Sequence, residues 1–151
     1  MTGWRLGYII APENLMQEMI KLQQNFLICA PSISQAAGLY ALQCEEETQK
    51  MLQIYAKRRE YIINRLNSIK GIRCLEPAGA FYAFANIKAL ETDSMKFSFE
   101  LLEQVGVAAA PGISFGPNGE GFVRFSYPTD IKNIEKGMDL LEKFVKNWKS
   151  Q

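Results

Sequence analysis

The sequence predicts an α/β protein in which helices pack on one face of a sheet and one helix is unusually long. Helical spacing of apolar residues runs from residue 45 to about residue 69, and the pattern then changes to short strands that alternate with helices. A helix of ~24 residues would span ~36 Å, a length that suits a strut between two domains. We therefore divide the chain into residues 1–45 and residues 46–151.

The first part of the chain is predicted to hold one strand and two helices, too few elements to bury their own apolar faces. Residues 4–11 are apolar and rich in β-forming types, which predicts a buried strand. Pro12 begins a helix and Pro31 ends it. Ser32 and Gln35 have the spacing of a capping box, with Ser32 as the N-cap of the second helix. The apolar face of the first helix consists of Leu15, Met16, Met19, Ile20, Leu22, Phe26 and Leu27.

The second part is predicted to contain the long helix and a compact α/β unit. Strands are expected over residues 72–75, 80–87, 107–110 and 122–127. A helix is expected over residues 94–105, with Phe97, Leu101 and Leu102 inward. Asp130 is predicted to cap the last helix. The long helix is expected to bury Met51, Tyr55, Ile62, Leu66 and Ile69, and the last helix Ile131, Ile134, Met138, Leu141, Val145 and Trp148.

Composition and charge exclude several kinds of function. The net charge is +1, so neither a nucleic-acid nor a membrane partner is expected. The sequence has no histidine, which excludes an imidazole base and a His-bearing metal site in this chain, and no metal site is predicted. No apolar run approaches the ~18 residues of a transmembrane helix and no secretory signal is visible, so we expect a cytoplasmic protein. Cys29, Cys44 and Cys74 lack C-x-x-C spacing and are predicted to be buried free thiols.

The first candidate for chemistry is Arg5, in the tripeptide Gly3-Trp4-Arg5. A guanidinium offers five fixed donors and keeps its charge, so it suits a phosphate dianion. The alternative is a surface arginine at the start of a strand. The tripeptide alone does not separate these two interpretations.

The second candidate is Arg124, in the apolar β run 121–127 (Gly-Phe-Val-Arg-Phe-Ser-Tyr). A charge in such a strand needs a partner, because burying a lone charge is costly. No acidic residue lies in the same strand. The partner is either an external carboxylate gripped by two hydrogen bonds, or a carboxylate elsewhere in the chain such as Glu120 or Glu76.

Two further segments could shape a pocket. In residues 76–84 a Pro-Ala-Gly turn leads into an aromatic strand that carries Phe81 and Tyr82. Residues 110–116 form a Gly/Pro loop just before the Arg124 strand. Each segment also has a purely structural interpretation, the first as core and the second as a connector.

Four motifs stand in one order along the chain. They are residues 1–8 (Met-Thr-Gly-Trp-Arg-Leu-Gly-Tyr), residues 76–84 with Pro-Ala-Gly-Ala-Phe-Tyr, residues 110–116 with Pro-Gly-Ile-Ser-Phe-Gly, and residues 121–127. Together they resemble the C-terminal part of a class I/II aminotransferase of fold type I, similar to aspartate aminotransferase. Such enzymes use pyridoxal 5'-phosphate (PLP) to move an amino group between an amino acid and a 2-oxo acid.

The resemblance implies roles for individual residues. Arg5 would bind the cofactor phosphate, and Arg124 would bind the substrate α-carboxylate. Phe81 and Tyr82 would lie near the substrate. No catalytic residue is expected in this chain, because the lysine that holds PLP covalently would lie about four residues before Met1.

The resemblance also implies an organisation for the whole protein. Residues 1–45 would be a remnant of the large PLP-binding domain, and residues 46–151 would be the strut helix plus the small C-terminal domain. The complete enzyme would be a homodimer, and this chain alone is expected to be inactive. Two other functions stay open: a PLP-dependent carbon–sulfur lyase of the same fold, and a non-catalytic aminotransferase-like module such as the ligand-binding part of a transcription regulator.

Overall fold

The computed structural model describes residues 1–148, in which the chain divides into two compact units, Met1–Lys50 and the part that begins at Met51. The helices are α1 (Glu13–Phe26), α2 (Ser32–Ala41), α3 (Glu45–Ser68), α4 (Ser94–Val105) and α5 (Ile131–Asn147). The strands are β1 (Arg73–Cys74), β2 (Tyr82–Asn86), β3 (Ala110–Pro111) and β4 (Phe122–Ser126). The mixture of helices and one small sheet confirms the predicted fold class.

The first unit lacks the strand that was predicted over residues 4–11. Residues 4–11 form no strand: a 3₁₀ turn over Thr2–Trp4 is followed by irregular chain in which Tyr8, Ile9 and Ile10 are exposed. A strand needs a neighbour for its hydrogen bonds, and no described strand pairs with this segment. α1 begins as predicted, with Pro12 at its N-cap, but it ends at Phe26 instead of reaching Pro31, and none of its residues is buried.

The predicted capping box at α2 is wrong. Pro31, with an extended backbone, is the N-cap, and Ser32 already has helical geometry and makes no capping hydrogen bond. The side chain of Gln35 bonds outside the helix instead: its Nε2 donates to the carbonyl oxygen of Ala30 at 2.8 Å.

The second unit is built on an antiparallel sheet with the order β1-β2-β4-β3. β2 and β4 form its centre, and Phe84 of β2 lies opposite Arg124 of β4. Side chains alternate between the two faces of a strand. One face is buried and consists of Ala83, Ala85, Val123 and Phe125. The other face carries Tyr82, Phe84, Phe122 and Arg124, all of which are partly or largely exposed.

Helices α3, α4 and α5 supply the core that covers the buried face. Ile62 and Leu66 of α3 and Phe97 of α4 are almost fully buried. The predicted inward position of Leu102 is wrong, because its side chain is 45% exposed. The predicted stripe of α5 is confirmed for the buried residues Ile134, Met138, Leu141 and Val145, whereas Ile131 and Trp148 are partly buried.

Local signals fix the ends of the last two helices. The side chain of Asp93 accepts a hydrogen bond from the N–H of Lys96 at the start of α4. Gly106 ends α4 with φ of 72°, a left-handed conformation that glycine adopts without steric cost. Asp130 caps α5 as predicted, by accepting from the N–H of Lys132.

The three cysteines are free, as predicted, but only Cys74 is buried. Cys29 and Cys44 are exposed in the first unit, where few side chains are buried at all. Burial raises the pKa of the Cys74 thiol, because the thiolate would lose its hydration. Across residues 1–148, no helix combines the length and the apolar character that crossing a bilayer requires.

Candidate functional site

Arg124 lies in the middle of β4, on the face of the sheet that the helices leave open. Its cross-strand partners are Phe84 of β2 and Ala110 of β3. The alternation of the strand explains this position, because the neighbouring Val123 and Phe125 point to the core. The arginine therefore interrupts the apolar run without entering the core.

Two aromatic rings hold the guanidinium of Arg124. Its Cζ lies 4.2 Å from the centre of the Tyr82 ring and 4.5 Å from the centre of the Phe115 ring. Each such contact contributes roughly 0.5–2 kcal/mol, depending on how far water is excluded. Among residues 1–148, no carboxylate pairs with Arg124, and its buried Nε has no hydrogen-bond partner.

Both internal carboxylates that could have paired with Arg124 are engaged elsewhere. Oε1 of Glu76 lies 3.3 Å from Nη2 of Arg59. Oε1 of Glu120 accepts hydrogen bonds from the N–H groups of Ser94 at 2.7 Å and Gly121 at 3.1 Å. The hydrogen bonds from Ser94 and Gly121 lower the pKa of Glu120, because they stabilise its charged form. The cation on β4 is thus left for a partner from outside the described residues.

The two aromatic residues predicted to lie near a substrate occupy different places. Tyr82 is on the open face and contacts Arg124. Phe81 precedes β2 and is half-buried, with its ring centre 6.4 Å from that of Tyr55 on α3. The rings of Phe81 and Tyr82 are adjacent, 4.5 Å apart. Tyr82 is thus the member of the pair that meets Arg124.

The open face also carries an aromatic cluster that the sequence patterns did not single out. The rings of Phe84 and Phe122 stack at 5.0 Å and 6°, and the edge of Phe115 meets Phe84 at 6.0 Å. The alternation of side chains along each strand could have predicted this cluster, since Phe84 and Phe122 lie on the same face of the sheet as Arg124. Beside this cluster is a pocket of about 520 Å³, which is lined by Arg73, Leu75, Glu76, Pro77, Tyr82, Phe84, Asn86 and Phe122.

Phe115 reaches Arg124 because the loop before β4 is compact. It consists of two 3₁₀ turns, Gly112–Phe115 and Pro117–Gly119. The two glycines at positions 112 and 119 pack backbone against backbone, so closely that a Cβ on either would overlap the other. The buried hydroxyl of Ser94 accepts a hydrogen bond of 3.2 Å from the N–H of Ile113. These contacts fasten the loop to the first turn of α4.

Arg5 lies in the first unit, directly after the 3₁₀ turn over Thr2–Trp4. Its φ is 51°, an uncommon left-handed conformation for a residue with a side chain, and its N–H donates to the carbonyl oxygen of Thr2 at 3.3 Å. The buried hydroxyl of Ser34 donates to the carbonyl oxygen of Trp4 at 2.9 Å and so anchors the turn. The guanidinium is exposed and makes no ion pair with residues 1–148. An exposed guanidinium on an anchored backbone fits a phosphate group.

No metal centre accompanies these two arginines in the described part of the chain. Residues 1–148 hold no group of three Cys, Asp or Glu side chains that could bind a metal ion. The second unit offers Arg124, which contacts two aromatic rings, and the first unit offers Arg5, an exposed cation that follows an anchored turn.

The chain as a whole is similar to known proteins of one family. Residues 1–141 match the family model described as aminotransferase class I and II. An aspartate aminotransferase of Pyrococcus horikoshii is 41% identical over 152 residues, which cover 99% of this chain and 39% of the relative. An aromatic-amino-acid aminotransferase of Thermococcus litoralis is 38% identical, with 99% of this chain and 39% of the relative covered.

Solved structures give the same result. An aromatic aminotransferase from Pyrococcus horikoshii superposes with a TM-score of 0.87 at 37% identity, covering 97% of this chain and 40% of that structure. An aspartate aminotransferase from Thermotoga maritima superposes with a TM-score of 0.83 at 35% identity, covering 97% of this chain and 37% of that structure. The chain spans about two fifths of the length of the curated relatives it matches.

Proposed function

Because the chain belongs to the class I and II aminotransferases, we propose that it is part of an enzyme that transfers an amino group between an amino acid and a 2-oxo acid. The family uses PLP, and the fold type I likeness extends over almost the whole chain. The observation that carries the proposal is Arg124, a cation on an open sheet face that pairs with no carboxylate of residues 1–148.

Arg124 is proposed to bind the α-carboxylate that amino acids and 2-oxo acids share. A guanidinium fits a carboxylate through two parallel hydrogen bonds, and a planar group that is already held loses little freedom on binding. Tyr82 and Phe115 supply this hold without offering a competing negative charge. Their rings also keep water from part of the guanidinium, which strengthens its attraction for an incoming anion.

Phe81 is proposed to lie near the substrate and to support Tyr82, its neighbour in sequence. It adjoins Tyr82 at 4.5 Å and is half-buried beside α3, so it supports the ring that contacts Arg124. The open pocket beside Phe84 and Phe122 gives room for the rest of a substrate. The family relatives include enzymes named for aspartate and for aromatic amino acids, and we assign neither specificity.

Arg5 is proposed to bind the phosphate of PLP. Its guanidinium is exposed, and the Ser34 hydroxyl fixes the turn that presents it. When bound, PLP supplies the electron sink for the reaction. Arg5 contributes charge and orientation: its guanidinium offsets part of the charge of the dianion and donates hydrogen bonds that fix one end of the cofactor.

We propose that the 151-residue chain does not transaminate by itself. The family's cofactor lysine stands shortly before the Gly-Trp-Arg segment, whereas the first lysine of this sequence is Lys21, beyond it. The lysine both anchors the cofactor and moves protons, and the exposed Arg5 cannot replace it, because an arginine does not release its proton.

The organisation of the complete protein is likewise a proposal. Residues 1–45 would belong to its large PLP-binding domain and residues 46–151 to the strut helix and small domain. The complete enzyme would be a homodimer in the cytoplasm. The exposed apolar side chains of the first unit, among them Phe26 and Leu39, support an origin in a larger assembly.

An activity screen of the complete protein tests this function. The protein, loaded with PLP, is given single amino acids together with a 2-oxo acid, and the new amino acid is quantified. Turnover supports the aminotransferase. Release of a thiol from sulfur-containing amino acids without transamination would instead support the carbon–sulfur lyase. Absence of both activities would support the non-catalytic module. The 151-residue chain is assayed in parallel and should not exceed free PLP.

A further inference from the structure

One arginine of helix α3 holds the turn that precedes β2. Nη1 of Arg59 donates a hydrogen bond of 3.1 Å to the carbonyl oxygen of Pro77, and Nη2 lies 3.3 Å from Oε1 of Glu76. The Arg59 side chain is only 31% exposed, so these contacts are partly shielded from water. The bond to Pro77 fixes the main chain itself, because its acceptor is a backbone carbonyl.

The same turn is held from its other end by Tyr127. The Tyr127 hydroxyl donates to the carbonyl oxygen of Ala80 at 3.1 Å, and the Tyr127 N–H donates to the carbonyl oxygen of Phe81 at 3.1 Å. Ala80 has φ of 62°, a conformation that residues with a Cβ rarely adopt. Such a residue keeps this conformation only where the surrounding contacts enforce it.

The turn leads directly into the carboxylate site. Tyr82 follows Ala80 by two residues, and its ring lies 4.2 Å from Cζ of Arg124. On α3, Tyr55 lies one helical turn before Arg59, and its ring is 6.4 Å from the ring of Phe81. Helix α3 therefore contacts this segment at two places, through Arg59 at its start and through Tyr55 at Phe81, next to Tyr82.

We propose that Arg59 is a positioning residue for the Arg124 site. By holding the turn of residues 76–80, it sets the place of Tyr82, and through Tyr82 the orientation of the Arg124 guanidinium. Arg59 itself does not touch the substrate. The inference rests on the proposed role of Arg124 in binding a carboxylate.

Kinetics of the complete enzyme give the first test. Arg59→Ala should raise the KM for the amino donor about two- to thirtyfold while kcat changes little, the size expected for residues that act through one contact network. Arg59→Lys should lie between the wild type and Arg59→Ala, since an ammonium keeps the charge but cannot span Pro77 and Glu76 with a planar fork. Urea unfolding of each variant establishes that it is folded.

Arg65→Ala is the matched control. Arg65 lies on the same helix and pairs with Asp139 at 2.7 Å and Glu142 at 3.1 Å, both on α5. Its loss removes ion pairs of the same kind without touching the turn, so KM should stay at the wild-type value. An equal rise of KM in Arg65→Ala and Arg59→Ala would mean that Arg59 only stabilises the fold, and the inference would be wrong.

A second measurement does not depend on activity. In this chain labelled with ¹⁵N-arginine, the Arg124 Nε–H signal is identified by its absence in Arg124→Lys. The signal should be displaced by the nearby rings of Tyr82 and Phe115, and should move in Arg59→Ala but not in Arg65→Ala. An unmoved signal in Arg59→Ala overturns the inference. If the complete enzyme is inactive but the Arg124 signal of this chain still moves in Arg59→Ala, the proposed function is refuted and the positioning role of Arg59 is not.

Discussion

The guanidinium carbon of Arg124 lies 4.2 Å from the centre of the Tyr82 ring, although the two residues are not directly opposite each other in the sheet. Tyr82 pairs with Ser126, and Arg124 pairs with Phe84. The contact is therefore diagonal, within reach of long and aromatic side chains on one face of an antiparallel pair. It places a fixed charge beside the aromatic side chains of the open face.

The loop that brings Phe115 to this charge depends on the close approach of two glycines. Gly112→Ala should lower the free energy of unfolding by about 1–3 kcal/mol, because its Cβ would overlap the carbonyl oxygens of Gly119 and Phe122. Gly137→Ala in α5 is the control: nothing lies within 4 Å of its Cβ, and alanine should raise stability by about 0.5–1 kcal/mol. Urea titration measures both. Equal stability of Gly112→Ala and the wild type would contradict the close packing of the loop.

The stability of the fold should depend on Glu120 in acid. Hydrogen bonds from Ser94 and Gly121 lower the pKa of its carboxyl in the folded chain. Its contribution is therefore present above the ordinary Glu pKa of about 4.3 and is lost as the pH falls through the lower folded value. Glu120→Gln should show a shallower loss of stability than the wild type in urea titrations between neutral pH and the acid limit. Glu103→Gln, an exposed substitution on α4, should follow the wild-type curve.

The cysteines of this chain should react at two rates. Cys29 and Cys44 are exposed, whereas Cys74 is buried and its thiol pKa is raised by burial. A chromogenic disulfide reagent at mildly alkaline pH should modify two thiols quickly and the third slowly, because the thiolate is the reacting form. The double variant Cys29→Ser/Cys44→Ser should keep only the slow phase. Three equal rates without denaturant would show that the core around Cys74 opens readily.

The isolated chain should self-associate through its first unit. None of the residues of α1 is buried, and Leu22 and Phe26 are 58% and 79% exposed. Contiguous apolar surface of more than a few hundred Å² favours association. Light scattering should report a mass that grows with concentration, and Leu22→Lys combined with Phe26→Ser should reduce that growth. A concentration-independent monomer of the wild-type chain would contradict this account of the first unit.

Sequence patterns predicted the elements whose signals are local. α3, α4 and α5 carry apolar stripes of helical period, and the last two have an aspartate cap that the structure confirms for Asp130. The central strands β2 and β4 were also predicted, because a glycine precedes each of them and their aromatic residues are interspersed with other side chains. In these elements each residue's preference agrees with its final place.

Most of what the patterns missed depends on residues distant in sequence. Residues 4–11 have strand-forming composition, yet they form no strand because no described neighbour supplies hydrogen bonds. Ser32 has the right spacing for a cap, but the proline before it takes that position. The contact of Phe115 with Arg124 requires both the register of β3 with β4 and the glycine contact in the loop. Apart from the position of Pro31, none of these conditions is visible within one segment.

The central claim is that Arg124 binds the substrate carboxylate, and Arg124→Ala in the complete, PLP-loaded enzyme tests it most directly. The variant should raise KM for the amino donor and lower kcat/KM about ten- to hundredfold, from the loss of a charge-assisted contact of roughly 1.5–3 kcal/mol. Arg124→Lys should recover only part of the loss, because a point charge cannot make the planar two-bond grip. Cofactor absorbance should be unchanged in both variants, since PLP is held elsewhere. Unchanged kcat/KM in a folded Arg124→Ala enzyme would contradict the assignment.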